Sequence, residues 1–184
     1  MKILLTTLNS KFIHTNLAIR YLRESVKDLV EVDVREYTIN NQLDYILKDI
    51  YKNNYDVVFF STYIWNIYDI VKLCDNLKKV KPEIKIGLGG PEVTYDSESA
   101  MEKYEFLDYI LCGEGELVFR DLVQHLLGQK KIEDVKGIVY REDKKIIVNE
   151  EMELLQNLDE IPSPYENLDV KEYENRIVYY ETSR

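Results

Sequence analysis

Tyr55-Asp56-Val57-Val58-Phe59-Phe60-Ser61-Thr62-Tyr63-Ile64-Trp65-Asn66 joins an unbroken apolar run to a loop of hydroxyl and aromatic residues. A run without polar alternation suits a strand covered on both faces, as at the centre of a parallel sheet. Behind it, Ile67 to Val80 repeats apolar residues at helical spacing. That helix should stop at Lys81-Pro82, because proline disfavours the helical region for the residue before it. Strand, loop and helix in this order form one βα unit, and the unit recurs on both sides. Upstream, Ile3 to Leu8 predicts a first strand and Thr15 to about Leu29 a helix with Leu17, Ala18, Tyr21, Leu22 and Val26 on one stripe. Val32-Asp33-Val34 predicts a short second strand and Asn40 to Lys52 a second helix. Downstream, strands are predicted over Ile84 to Gly89 and Leu107 to Leu111, followed by helices over Ser97 to Tyr104 and Gly115 to Leu127. Five βα units imply an α/β fold with a doubly wound five-stranded parallel sheet, of the flavodoxin-like or Rossmann-like kind.

Past Gly128 the pattern changes. Lys136 to Arg141 and Lys144 to Asn149 flank Glu142-Asp143 as a C-terminal β-hairpin would, and not as a sixth βα unit. From Glu150 to about Lys171 acids and Pro162-Ser163-Pro164 dominate, which suits an extended linker. The expected organisation is therefore an α/β domain over 1–130, a hairpin extension over 131–150 and a linker over 151–184. Ile177 to Tyr180 starts a further strand with only Glu181 to Arg184 behind it, so the chain is expected to be the amino-terminal part of a longer polypeptide.

Composition removes several function classes. A formal net charge of −10 repels phosphate backbones and anionic headgroups, so neither nucleic acid nor a membrane is an expected partner. No stretch reaches the roughly 18 apolar residues of a spanning helix, and Met1 to Leu5 runs into polar sequence too early for a signal peptide. A cytoplasmic location is expected. Cys74 and Cys112 lack paired ligand spacing and are expected to be thiols.

In an open parallel sheet, ligands bind outside the carboxyl ends of the strands, near the point where strand order reverses. Four loops there carry the candidate cofactor-binding residues. They are Asn9 and Ser10 with His14 after the first strand, and Ser61, Thr62 and Tyr63 after the third. Gly89, Gly90, Pro91 and Glu92 follow the fourth, and Gly113, Glu114 and Gly115 the fifth. Glycines allow positive φ and close backbone approach, while the aromatics after the third strand suit a flat ring system. Together they describe a large site, not a small phosphate hole. No nucleophile or acid–base pair is evident, so no catalytic residue is assigned.

Leu88-Gly89-Gly90-Pro91-Glu92-Val93-Thr94 followed by Cys112-Gly113-Glu114-Gly115-Glu116 resembles the paired motifs of cobalamin-binding domains in class B radical S-adenosylmethionine proteins. That family includes the anaerobic magnesium-protoporphyrin IX monomethyl ester oxidative cyclase. The resemblance implies that Gly89 and Gly90 lie along the corrin or its nucleotide tail and that Ser61 contacts the tail. It also implies that Gly113 to Glu116 opens the last helix. Tyr179 to Arg184 is similar to the segment before that family's Cys-x-x-x-Cys-x-x-Cys loop, whose three cysteines this chain lacks. The implied cofactor of this domain is cobalamin. A 4Fe-4S cluster and S-adenosylmethionine would belong to a C-terminal radical S-adenosylmethionine domain of the same polypeptide, where methyl transfer or cyclase-type chemistry would occur.

One departure bears on cobalt. Cobalamin domains that ligate it from below carry Asp-x-His-x-x-Gly after the first strand, whereas here Phe12-Ile13-His14-Thr15-Asn16-Leu17 keeps the histidine without the aspartate or glycine, and many members of the class B group bind cobalamin with no protein ligand below. The carboxylate that would orient the imidazole is missing. His14 either ligates cobalt or packs at the start of the first helix. Plainer readings stand beside the other candidates: a tight turn at Gly89-Gly90-Pro91, helix-start acids at Glu114 and Glu116, a helix cap at Ser61-Thr62, and core or interface aromatics at Tyr63 and Trp65. An alternative function keeps the fold without cobalamin, as a docking or substrate-recruiting domain. A receiver or flavodoxin reading is disfavoured by Leu8-Asn9-Ser10, by Phe60-Ser61 and by the absence of glycine from Asn9 to Thr15.

Overall fold

The computed structural model describes residues 1–153, 155, 157, 160–166 and 170–181. β1 (Ile3–Asn9) and β3 (Val57–Ser61) are buried along their whole lengths, as continuous apolar runs require. Alternate residues serve opposite faces. Leu4, Leu8, Val58 and Phe60 pack with α2 (Leu43–Asn53) and α3 (Ile67–Val80), while Ile3, Leu5, Val57 and Phe59 pack with α1 (Leu17–Ser25) and α6 (Gly115–Leu126). The sheet is thus wound on both sides.

Including β2 (Val32–Thr38), β4 (Lys85–Gly89), β5 (Tyr109–Leu111), β6 (Ile138–Glu142) and β7 (Lys145–Val148), the strand order is β2-β1-β3-β4-β5-β6-β7. The first five strands are parallel, and the order reverses between β1 and β3. Gly87 makes the centre possible, because a β-carbon there would stand 2.0 Å from the Phe59 ring. Phe59 in turn meets Phe119 edge to face at 5.2 Å, locking β3 to α6.

The sheet has seven strands where the sequence predicts five. The hairpin continues it, with β6 antiparallel to β5 from Tyr109↔Tyr140 to Leu111↔Ile138 and β7 paired outside it. β5 is three residues long, and pairing with β6 satisfies the backbone groups of its outer edge. The turn is tight, with Asp143 at φ 53.

Other differences have local causes. β2 runs to Thr38 as an edge strand, where Arg35 stays partly exposed and the buried Glu36 carboxylate is paired with Arg20 and Arg176, and it pairs with β1 from Ile3↔Val32 to Asn9↔Thr38. α1 ends at Ser25, whose hydroxyl donates to Leu22 O at 2.8 Å, so residues up to Leu29 form turns instead of helix. A short helix α4 (Pro91–Thr94) precedes α5 (Ser97–Lys103), with proline at a helix start where its missing N–H costs nothing. Ile177 makes a single parallel bridge to His14, and Val178 to Tyr180 form no strand. Cys74 is a buried free thiol and Cys112 a half-buried one. No helix among the described residues is long and apolar enough to cross a membrane.

Candidate functional site

A cavity of about 620 Å³ opens at the carboxyl ends of β3, β4 and β5, beside Leu5 of β1, between α1 and the start of α6. It lies beside the reversal of strand order, where crossovers leave to opposite faces and the sheet's end stays uncovered.

Gly89 and Gly90 form one wall. Gly90 has φ +105, and a β-carbon there would stand 2.4 Å from Thr62 O, so both conformation and space require glycine. Gly89 has no positive φ, and a β-carbon there would meet nothing nearer than Leu111 at 3.8 Å. Neither backbone nor packing explains glycine at 89, which leaves bare backbone available to a ligand. Gly113, at φ +77, and Gly115 line the opposite wall, where added β-carbons would have their nearest neighbours at 3.7 and 3.5 Å. Both walls therefore fit a group that needs close backbone approach.

The loop after β3 is held open from beneath by Asn66. This side chain is fully buried: its Oδ1 accepts from Tyr63 N at 2.7 Å, and its Nδ2 donates to Leu8 O at 3.1 Å and Ser61 O at 3.2 Å. Thr62 locks the same loop to β4, donating through both N and Oγ1 to Gly89 O, at 2.8 and 2.7 Å. The plainer reading of Thr62 as a helix cap does not apply, since its hydroxyl serves this crosslink. Above, Tyr63 and Trp65 stack with centroids 4.6 Å apart and planes 3° from parallel. Trp65 is 47% exposed, so the pair presents a flat face at the sheet's open end.

Of the predicted residues, Ser61, Tyr63, Gly89, Gly90 and Pro91 line the cavity, as do Gly113, Glu114 and Gly115. Asn9, Ser10, Thr62, Glu92 and His14 do not. Asn9 acts through structure, its Nδ2 donating to His14 O at 2.9 Å. His14 sits at the end of that loop with Nδ1 hydrogen-bonded to the Tyr179 hydroxyl and the two rings stacked.

The cavity also uses Leu17, Ala18, Tyr21 and Leu22 of α1, which the helical pattern alone assigns to the core. Met152 and Glu181, from the segment read as a linker, complete it; no local pattern marks either. The lining is mostly apolar, with Glu114, Glu116 and Glu181 as its charged members and the amino end of α6 supplying partial positive charge near Gly115. Glu114 and Glu116 oppose a small, multiply charged anion there, so the arrangement favours a large and mainly neutral ligand.

Comparison with known proteins agrees with this geometry. The model of the B12 binding domain family matches residues 3–123. Over 129 residues the chain is 32% identical to the uncharacterized methyltransferase PH0819 of Pyrococcus horikoshii, covering 70% of this chain and 28% of that protein. Over 111 residues it is 31% identical to the cobalamin-dependent radical SAM methyltransferase TokK of Streptomyces tokunonensis, covering 60% of this chain and 16% of that one. The structure of the cobalamin-dependent S-adenosylmethionine radical enzyme OxsB with aqua-cobalamin and S-adenosylmethionine bound superposes with a TM-score of 0.69 at 20% identity, over 83% of this chain and 22% of OxsB. The chain thus spans under a third of the length of these proteins. With most of its length matched, the fold shared and the cavity at the expected end of the sheet, the chain belongs to the B12-binding domain family.

Proposed function

We propose that this domain holds cobalamin with its nucleotide tail in the cavity and its corrin ring over the mouth, presented to a radical S-adenosylmethionine domain of the same polypeptide. The observation that carries this reading is Gly89, a glycine that neither φ nor protein packing demands, on the wall of a cavity of about 620 Å³ at the switch point. In the bound state Gly89 and Gly90 would contact the cofactor through backbone, with Ser61 beside the tail. The Tyr63–Trp65 face would shield the ring, and His14, whose Nδ1 is taken by the Tyr179 hydroxyl, would offer Nε2 as a nitrogen donor. Cobalamin supplies methyl-carrying or radical-assisting chemistry when bound; these residues bind, orient and shield it. A 4Fe-4S cluster and S-adenosylmethionine would be held by the partner domain. Phe12, Ile64, Trp65, Tyr95 and Tyr180 are exposed apolar residues that support a covering partner.

Trp65 is the only tryptophan and reports on the mouth directly. Titrating hydroxocobalamin anaerobically should quench its fluorescence saturably at about one corrin per chain, and Gly89→Val should abolish saturation while circular dichroism stays unchanged. Equal saturable quenching in wild type and Gly89→Val would overturn this placement. Absence of saturable quenching in the wild type would favour the docking-domain alternative.

A further inference from the structure

The described residues after Val170 return to the loop between β1 and α1. Glu36, with 4% of its side chain exposed, is the hub. Its Oε2 accepts from Arg176 Nη1 at 2.5 Å and Arg20 Nη2 at 3.3 Å, while its Oε1 accepts from Asn16 N at 2.5 Å, where α1 begins. Arg20 also donates to Glu172 and to the Tyr173 hydroxyl, both at 2.9 Å, and lies 4.4 Å over the Tyr173 ring. Arg20 and Glu36 are buried and pair with each other, while Arg176 and Glu172 of the returning segment each add a second partner of opposite charge.

Further along, Ile177 N donates to Ile13 O at 2.6 Å, and Thr15 Oγ1 donates to Ile177 O at 2.9 Å. Arg176 covers the Phe12 ring at 4.7 Å. Tyr179 then reaches His14 Nδ1 through its hydroxyl, and its own carbonyl accepts from the Tyr165 hydroxyl. Two residues on, Glu181 lines the cavity. Every residue from Phe12 to Asn16 therefore contacts this segment or the Glu36 hub that anchors it.

We propose that Val170 to Glu181 is a strap belonging to the cofactor site, with Arg176 and Tyr179 as positioning residues. They fix the β1–α1 loop and the His14 ring, and with them the start of α1, whose Leu17, Ala18 and Tyr21 line the cavity. Tyr179 occupies the nitrogen of His14 that a carboxylate would otherwise orient. This proposal rests on the cobalamin reading above and adds to it that cofactor release is governed from a segment remote in sequence. Docking of the strap and retention of the corrin are then linked: each favours the other by the same factor.

The test compares wild type, Tyr179→Phe and Arg176→Gln, each loaded with hydroxocobalamin. Corrin release is followed by timed desalting, amide exchange over residues 11–16 and 171–181 by mass spectrometry, and global stability by urea unfolding. Loss of a charge-assisted or hydroxyl latch should speed release about tenfold and accelerate exchange of both segments, with the urea midpoint of Tyr179→Phe unchanged. If Arg176→Gln loses global stability, Tyr179→Phe carries the test, since it removes a single hydroxyl. Release at the wild-type rate from Tyr179→Phe overturns the strap while leaving cobalamin binding intact. A wild-type chain that retains no corrin overturns the cobalamin reading, and the strap with it.

Discussion

Two adjacent glycines on one cavity wall should respond oppositely to the smallest substitution. Gly90→Ala places a β-carbon at φ +105 and 2.4 Å from Thr62 O, a backbone atom that cannot swing aside. The conformation costs on the order of 1–3 kcal/mol and the steric shift about as much again. A total of about 2–6 kcal/mol in a domain of this size lowers the melting temperature by roughly 4–24 °C. Gly89→Ala meets nothing nearer than 3.8 Å and needs no unusual φ, so its stability should stay within about 1 kcal/mol of wild type. Urea unfolding followed by Trp65 fluorescence and by far-ultraviolet circular dichroism measures both. Equal destabilisation by the two variants, or a Gly90→Ala protein as stable as wild type, would refute the assignment of Gly90 to structure and Gly89 to ligand.

Asn66→Ala removes the buried amide that holds Tyr63, Leu8 and Ser61 together, and should cost about 2–4 kcal/mol in the same unfolding experiment. Gly87→Ala should overpack Phe59 by about 1–3 kcal/mol, and Phe59→Leu added to it should recover part of that loss; strictly additive costs would contradict the contact. Burial raises the Tyr109 hydroxyl to about 12 and, with the hydrogen bonds to Asp49 and Asp33, raises those of Tyr37 and Tyr55 further. The neutral phenol is favoured in the folded state, so this contribution is complete below the unfolded tyrosine value near ~10 and falls as pH rises through it. Stability should decline between about pH 10 and 12, with phenolate absorbance appearing together with unfolding; phenolate signal from these three in the intact fold would oppose the burial described.

Much of the fold is legible because burial on two faces writes itself as unbroken apolar strands. Val57 to Phe60 mark the middle of the five parallel strands, and Ile67 to Val80 matches the observed helix end to end, stopped by Pro82. β2 is less legible, since Arg35 and Glu36 are at home on an edge strand while local pattern reads them as loop. Membership of β6 and β7 in the main sheet depends on β5 needing a partner, a long-range condition that no window of sequence contains. At the site, glycines at 89, 90, 113 and 115 announce themselves by type and position. Ser10 and Glu92 sit in the right loops but outside the cavity wall, because loop membership does not fix where a side chain ends. Leu17 and Leu22 look like core, and Met152 and Glu181 arrive from a distant segment, so only the folded chain assigns them to the cavity.

The most direct test is retention. Wild type and Gly89→Val are equilibrated anaerobically with hydroxocobalamin, desalted, and their visible spectra recorded against protein concentration. About one corrin is expected per wild-type chain and almost none on a folded Gly89→Val, the β-branched side chain filling the wall that glycine keeps bare. A wild-type chain that emerges colourless, or a Gly89→Val protein carrying as much corrin as wild type, would contradict it.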